Sequence, residues 1–172
     1  MSEWKDLLTF LYGDVCSNRG FWYSHPLREV AGLTEAQLFW TPDPNSLCAL
    51  WHMGHIAQRE RLHVGLFLQG NPEPVTPAQF DLFGSEWASV DQVRQSVPSV
   101  QTVFDWVQEV RTASLDYITS LKEEDLLTVP FNSDGGLSIA HWLVITASHT
   151  ALHIGRIQLL RAMIEGKPER AC

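Results

Sequence analysis

The sequence predicts an all-α fold, a four-helix bundle with long inter-helix connections. Three observations predict it. Long segments place apolar residues at helical spacing, no segment alternates convincingly with the period of two that a strand needs, and clusters of Pro, Gly, Asn and Asp separate the segments.

The first helix is predicted from about Glu3 to Pro26, on Trp4, Leu7, Leu8, Leu11, Val15 and Trp22. Gly13 and Gly20 weaken it, and Pro26, which lacks an amide proton, ends it. A short helix from Thr34 follows, then breakers at Pro42, Asp43, Pro44 and Asn45. The second long helix starts at a cap on Asn45 or Ser46 and runs to about Gln69. Leu47, Leu50, Trp51, His55, Leu62 and Leu66 share one broad face of it, and Gly70-Asn71-Pro72 stops it. From Asn71 to Pro98 four prolines and weak periodicity predict a long loop, with one helical turn near Phe80 to Trp87. A loop of that length in a small domain often covers a site.

The third helix runs from near Ser99 to near Leu121, with the clearest amphipathic stripe of the chain: Val100, Val103, Phe104, Val107, Val110, Ser114, Ile118 and Leu121. The connection EEDLLTVPFNSDGG is rich in turn formers, and its TVPF is long enough only for a brief pairing. The fourth helix spans about Ser138 to Glu165 and closes at Gly166, with Pro168 beyond. These four lengths suit a bundle, and the long linkers argue against a plain up-down one.

A length of 172 residues predicts one domain able to bury a real core. A hydrophobic fraction of 45% and a charged fraction of 19% are those of an ordinary soluble protein. The net charge of −8, without any extended Lys/Arg cluster, argues against nucleic acid and against an anionic membrane surface as partner. A small neutral or metal-seeking substrate fits better. No segment approaches the ~20 apolar residues of a membrane span. MSEWKDLLTFLYGD has acidic residues and no small-residue cleavage site, so no signal peptide is expected. Cys16, Cys48 and Cys172 form neither a disulfide framework nor a CxxC zinc pattern. Reduced thiols in the cytoplasm are expected, two of them core-filling.

The chemistry is carried by histidine. His149 and His153 stand four apart in ITASHTALHIGRIQLLR, so both imidazoles leave the helix in one direction, a turn apart. Helices offer two ligands to one metal ion in this way. The pair also lies on the stripe Trp142, Thr146, His149, His153, Ile157 and Leu160 that should face the interior. A third ligand is predicted at His55, mid-stripe on the second helix, where Gly54 would let another helix approach closely. His52 is rotated toward a flank and is read as solvent-facing or hydrogen-bonded. Glu60 is about 140° from His55 on the wheel, a poor ligand; it either supports a ligand from behind or, more simply, is a salt-bridged surface acid. His141 lies beside the stripe as a core histidine, with a role next to the metal as the sharper alternative. His25 caps a helix end or is exposed, and His63 is a surface residue. Phe39, Trp40 and Trp51 gather near the expected mouth, where core packing outweighs substrate lining. No phosphate-binding loop and no GxSxG elbow is present.

WHMGHIAQRE, followed much later by HTALHIGRIQLLR, resembles the DinB-like superfamily of helical bundles. That superfamily shows W-H/D-x-x-H-I/L-x-x-x-E on its second helix and H-x-x-x-H-x-G-Q-I on its last. The phrases LTEAQLFWTPDPNSL, KEEDLLTVPF and GGLSIAHWLVITASH are similar too, so the resemblance covers nearly the whole chain. It implies a metal triad on His55, His149 and His153, the residues the helical wheel selects. Trp51, His52, Arg59, His141 and Arg156 are the neighbouring candidates for the pocket. The sequence departs at Arg156, where the pattern has Gln, and at Ile154, often Arg. A cation at 156 changes the charge near the metal or pairs with Glu60.

Three neutral imidazoles leave a divalent ion an open position. Zinc and nickel are the expected ions; iron and manganese also accept imidazole. Characterised members of the superfamily include S-transferases and isomerases that use low-molecular-weight thiols, so the resemblance implies a metal that binds a small thiol and lowers its pKa. The alternatives are a hydrolase using metal-bound hydroxide, and a non-enzymatic metal-binding stress-response protein. Members commonly pair helices across a two-fold axis, so a homodimer is expected.

Overall fold

The structure is a computed structural model that describes residues 3–13, 25–71 and 76–166. Among the described residues it is helical and contains no strand. The α-helices are α1 (Glu3–Tyr12), α2 (Pro26–Val30), α3 (Glu35–Leu38), α4 (Ala49–Glu60), α5 (Val90–Ser96), α6 (Val100–Ser120) and α7 (Ile139–Ile164). A π-helical stretch, Arg61–Leu68, continues α4 without a break. Three 3-10 segments occupy Ala78–Gly84, Glu123–Leu127 and Asp134–Gly136.

α4 is the central element. It packs against both α6 and α7, and every α4 residue except Arg59 is buried. Two apolar clusters result. One joins Leu50, Trp51, Met53 and Ile56 of α4 to Phe80, Phe83, Trp106, Val107, Ile154 and Ile157. The other joins Val64 and Leu68 of the π-helical stretch to Leu8, Tyr12, Ile118, Trp142 and Leu143. A buried ion pair, Glu60 to Arg111 at 2.7 Å, ties α4 to α6. Arg111 Nη1 also donates to the Tyr12 carbonyl, and the Tyr12 hydroxyl donates to Leu143 O at 3.0 Å. α1 is thereby fastened to α6 and α7.

The helix boundaries depart from expectation where turn chemistry intervenes. α1 ends at Tyr12, with Gly13 at φ 63°, a left-handed conformation that glycine adopts without strain. The continuation predicted on Val15 and Trp22 lies outside the described residues. Pro26 begins a helix instead of ending one: it is the first residue of α2, where a missing amide costs nothing, and His25 caps it by accepting from Leu27 N. The α4 cap is Cys48, not Asn45 or Ser46. Those two residues are held in a turn by Asp43, whose carboxylate accepts from Asn45 N at 2.8 Å and Ser46 Oγ at 2.6 Å. Within the predicted loop, α5 is an additional helix, begun by a reciprocal Ser89–Gln92 capping box. TVPF makes one backbone bond to a distant segment, Ile139 N to Thr128 O at 3.0 Å, besides its local turn bonds, and no strand. α3, α6 and α7 start at the predicted Thr34, Ser99 and Ser138, and the α7 chain exit at Gly166 has φ 63°.

Candidate metal centre

α4 and α7 bring three imidazoles together. One ring nitrogen from each of His55, His149 and His153 lies within 4.8 Å of the others. Ring centroids are 4.5 Å apart for His149–His153, 4.8 Å for His55–His153 and 5.1 Å for His55–His149. His55 and His153 are buried and His149 is half-buried, so the trio meets the surface at His149. Among the described residues no fourth His, Cys, Asp or Glu joins them. The donor set suits a borderline divalent ion. Two nitrogens on one tetrahedral zinc lie roughly 3.3 Å apart, so the trio needs to close by about 1.5 Å at most.

Hydrogen bonds aim the rings. His55 Nδ1–H donates to the Phe83 carbonyl at 2.7 Å, which leaves Nε2 as its bare nitrogen. An imidazole fixed through one nitrogen by a carbonyl is the usual support for ligation through the other. The carbonyl is delivered by the 3-10 segment Ala78–Gly84, part of the connection predicted to cover a site. Gly54 permits this approach: a Cβ there would stand 2.4 Å from the Phe83 ring. The neighbour admitted at Gly54 is therefore this short segment and not a long helix. Trp51 is buried and stacks on His55 at 4.5 Å and 15°, holding one face of the ring while the carbonyl holds its edge.

Of the two readings of His52, the hydrogen-bonded one holds and the solvent-facing one does not. His52 is buried, and its Nδ1 is 2.9 Å from His153 Nδ1. One nitrogen must donate and the other accept; when His153 donates, its Nε2 is bare and faces the trio's task. His63 is not a surface residue either. Its Nδ1 is 3.0 Å from Thr146 Oγ1, and that hydroxyl spends its proton on the Trp142 carbonyl at 2.8 Å. His63 therefore donates from Nδ1 and keeps Nε2 as an acceptor, with its ring 6.5 Å from that of His149.

Burial lowers the basicity of all these imidazoles. Desolvation pushes His52 down to about 3, His63 and His149 to about 4 and His153 to about 2, and lowers His55 as well. The other imidazoles and the Arg59 and Arg156 guanidiniums add to the effect on His149. At neutral pH the rings are uncharged and their lone pairs are available to a cation. The named charges around the trio are positive.

The sequence model of the DinB superfamily matches residues 26–157, more than half of the chain. The chain belongs to the DinB superfamily. No curated protein and no solved structure matches it.

Set against this DinB-superfamily site, the remaining candidates divide. Arg59 is half-buried and Arg156 exposed, and both act on the trio through charge. Arg156 does not pair with Glu60: that carboxylate is buried, not at the surface, and belongs to Arg111. His141 is exposed and bonded to Ser138 Oγ at 2.7 Å, so it is neither a core histidine nor beside the trio's buried side. Phe39 is core and Trp40 exposed. Cys48 is buried, as expected of a core-filling thiol, and Cys16 and Cys172 lie outside the described residues. Sequence reasoning missed the Phe83 carbonyl, for which a backbone oxygen gives no signal. It also missed the His52–His153 contact. There a signal existed: His52 and His55 are three apart, hence only about 60° apart on the wheel.

Proposed function

We propose that this chain holds a divalent metal on His55, His149 and His153 and uses it to activate a low-molecular-weight thiol, as an S-transferase or isomerase. The observation that carries the reading is a trio of uncharged imidazoles, two buried and one half-buried, which no carboxylate or cysteine joins among the described residues. A structural site would be closed by a fourth protein ligand. A divalent ion held by these three would keep an open position, where it accepts a sulfur and acidifies the thiol.

The chain's own groups favour an anion there. Arg59 and Arg156 face the trio with positive charge, and no acid among the described residues offsets them at the site. A thiolate is stabilised by such surroundings, and the thiol proton leaves to solvent past half-buried His149. The sulfur then forms a bond to the electrophilic carbon of the second substrate while that carbon's bond to its leaving group breaks. Hydrolysis is less favoured, because the one acid of α4, Glu60, is committed to Arg111 and offers no base for water. Zinc or nickel suits the all-nitrogen donor set best, with iron and manganese as further choices.

Elemental analysis of freshly purified protein should find about one divalent ion per chain. A thiol panel with an alkylating or epoxide electrophile should then show metal-dependent loss of free sulfhydryl that chelation abolishes. Turnover of esters or amides without thiol consumption would assign the hydrolase reading instead. Metal that raises only the melting temperature would assign a structural clamp.

A further inference from the structure

Among the described residues every cation but two has a partner. Arg61, Arg111, Lys122 and Arg161 have carboxylates, Lys5 has the Thr119 carbonyl, Arg94 the Phe39 ring, and Arg28 is engaged as well. The two left are Arg59 and Arg156. A chain with 20 acidic residues against 12 Lys and Arg does not lack carboxylates for them. It places both beside the histidine trio, on helices that bring no acid there. α7 has none, and Glu60, the one acid of α4, belongs to Arg111.

α4 and α7 run antiparallel. His52 meets His153, His55 meets His149 and His63 meets Thr146, so numbers that rise on α4 fall on α7. Arg59 is four residues beyond His55, and Arg156 is three beyond His153. The two arginines therefore stand at opposite ends of the trio. From the level where His52 meets His153 they are seven and three residues away, which at 1.5 Å per residue sets their backbones about 15 Å apart along the axis. Helical side chains lean toward the N-terminus, so both stems lead back toward the histidines between them. Their charges are felt where this places them, Arg59 at His63 and His149, and Arg156 at His52 and His153. Arg59 and His149 are half-buried and Arg156 is exposed, so the span between the cations is open to a ligand.

A divalent ion on the trio would add its two positive charges to these two, and a single thiolate answers only one of them. We propose that Arg59 and Arg156 bind the carboxylates of a dianionic substrate, one toward each end of the trio, with its reacting group over the histidines between. On the function proposed above, on which this inference rests, that substrate is a thiol with carboxylates on both sides of its sulfur. A guanidinium matches a carboxylate with two parallel N–H donors, and an unpartnered one has no earlier bond to break. A lone phosphate is the poorer match. It suits donors that converge on one point, as at a helix N-terminus, and these two cations enter from opposite ends.

Isothermal titration calorimetry of the metal-free protein, at constant ionic strength, should find succinate bound more tightly than acetate or inorganic phosphate. Arg59→Gln and Arg156→Gln should each weaken succinate about tenfold or more, the loss of one charge-assisted hydrogen bond. Arg61→Gln, at a cation already paired with Glu109, should bind it as the parent does. Both site variants should reload zinc to the parent's content. With zinc and an alkylating electrophile, mercaptosuccinate should show a lower KM than mercaptoacetate, and 2-mercaptoethanol the highest. Arg156→Gln should raise the first KM about tenfold and leave that of 2-mercaptoethanol unchanged. Succinate that binds no better than acetate, phosphate that binds better, or arginine variants that bind like the parent overturn the inference. So does zinc lost from the variants, which would make the arginines supports of the metal. Thiol turnover indifferent to carboxylates also overturns it and leaves the thiol reading standing. Arginine-dependent succinate binding without turnover of any thiol supports the dianion site and overturns the thiol reading instead.

Discussion

Replacing Gly54 by alanine sets two effects of opposite sign against each other. Helix propensity alone favours alanine by about 1 kcal/mol in a helix interior. The structure opposes it. The added Cβ would stand 2.4 to 2.5 Å from three atoms of the Phe83 ring, so the ring must retreat by about 1 Å to reach ordinary contact. Phe83 is fully buried, with Trp106 stacked at 6.1 Å and Phe80 at 6.0 Å, and retreat disturbs both. Overpacking of this kind costs about 1–3 kcal/mol, so after the gain in propensity the net expectation is a loss of up to roughly 2 kcal/mol. A second consequence follows from the Phe83 carbonyl, 2.7 Å from His55 Nδ1. A 1 Å shift takes that bond past hydrogen-bonding range, and losing such a support typically weakens metal affinity about 10–100-fold. Urea unfolding in the presence of chelator isolates the first effect, and metal competition the second. A Gly54→Ala variant that is more stable than the parent without metal would refute the reasoning, because propensity would then have won.

Further expectations follow from the site and core. His149→Ala should lose most bound metal; metal content that stays stoichiometric by elemental analysis would remove His149 from the ligand set. Glu60→Gln alone should cost about 3–5 kcal/mol in urea unfolding, because it strands the Arg111 charge in the core, while Glu60→Gln with Arg111→Met should recover much of that loss. Equal stability of the single and double variants would count against a coupled pair. The metal-free protein should weaken as the pH falls. Burial holds His25 and His52 at about 3 and His63 at about 4, below the ordinary value of 6.5. Between those values the unfolded chain takes up protons that the folded one refuses, so stability is full above about 6.5 and declines toward 4. The slope is at most roughly 1.4 kcal/mol per pH unit for each imidazole. Identical urea midpoints at pH 7.5 and pH 5 would contradict this.

The parts of this protein legible in its sequence are those set by repetition. The α6 stripe from Val103 to Ile118 and the α7 stripe from Trp142 to Leu160 read directly as buried faces, and the i, i+4 spacing of His149 and His153 placed their rings side by side. His55 followed because it lies mid-stripe on the facing helix. The misreadings share other causes. α4 is enclosed on nearly all sides, so a wheel that assigns His52 and Glu60 to an outer face has no outer face to offer. Asp43 captures Asn45 and Ser46 before they can cap, a local competition that composition does not rank. His63 was read as a surface residue, and no wheel of ~100° per residue would have placed it, because from Arg61 each π-helical residue advances by less.

That change of pitch divides the central helix into two registers. Upstream of Glu60, side chains answer to Phe83, Trp106 and the histidine trio; downstream, Val64 and Leu68 answer to Leu8, Tyr12 and Ile118. A uniform α-helix would keep one of these alignments and rotate the other away. The wide turns act as a joint at the level of the Glu60–Arg111 pair, letting one rod fit two differently oriented cores. Shortening the stretch by a single residue would therefore leave His55 in place while turning His63 off Thr146 and α1 off its seat. The histidine trio and the α1 end of the bundle would become separable by one deletion.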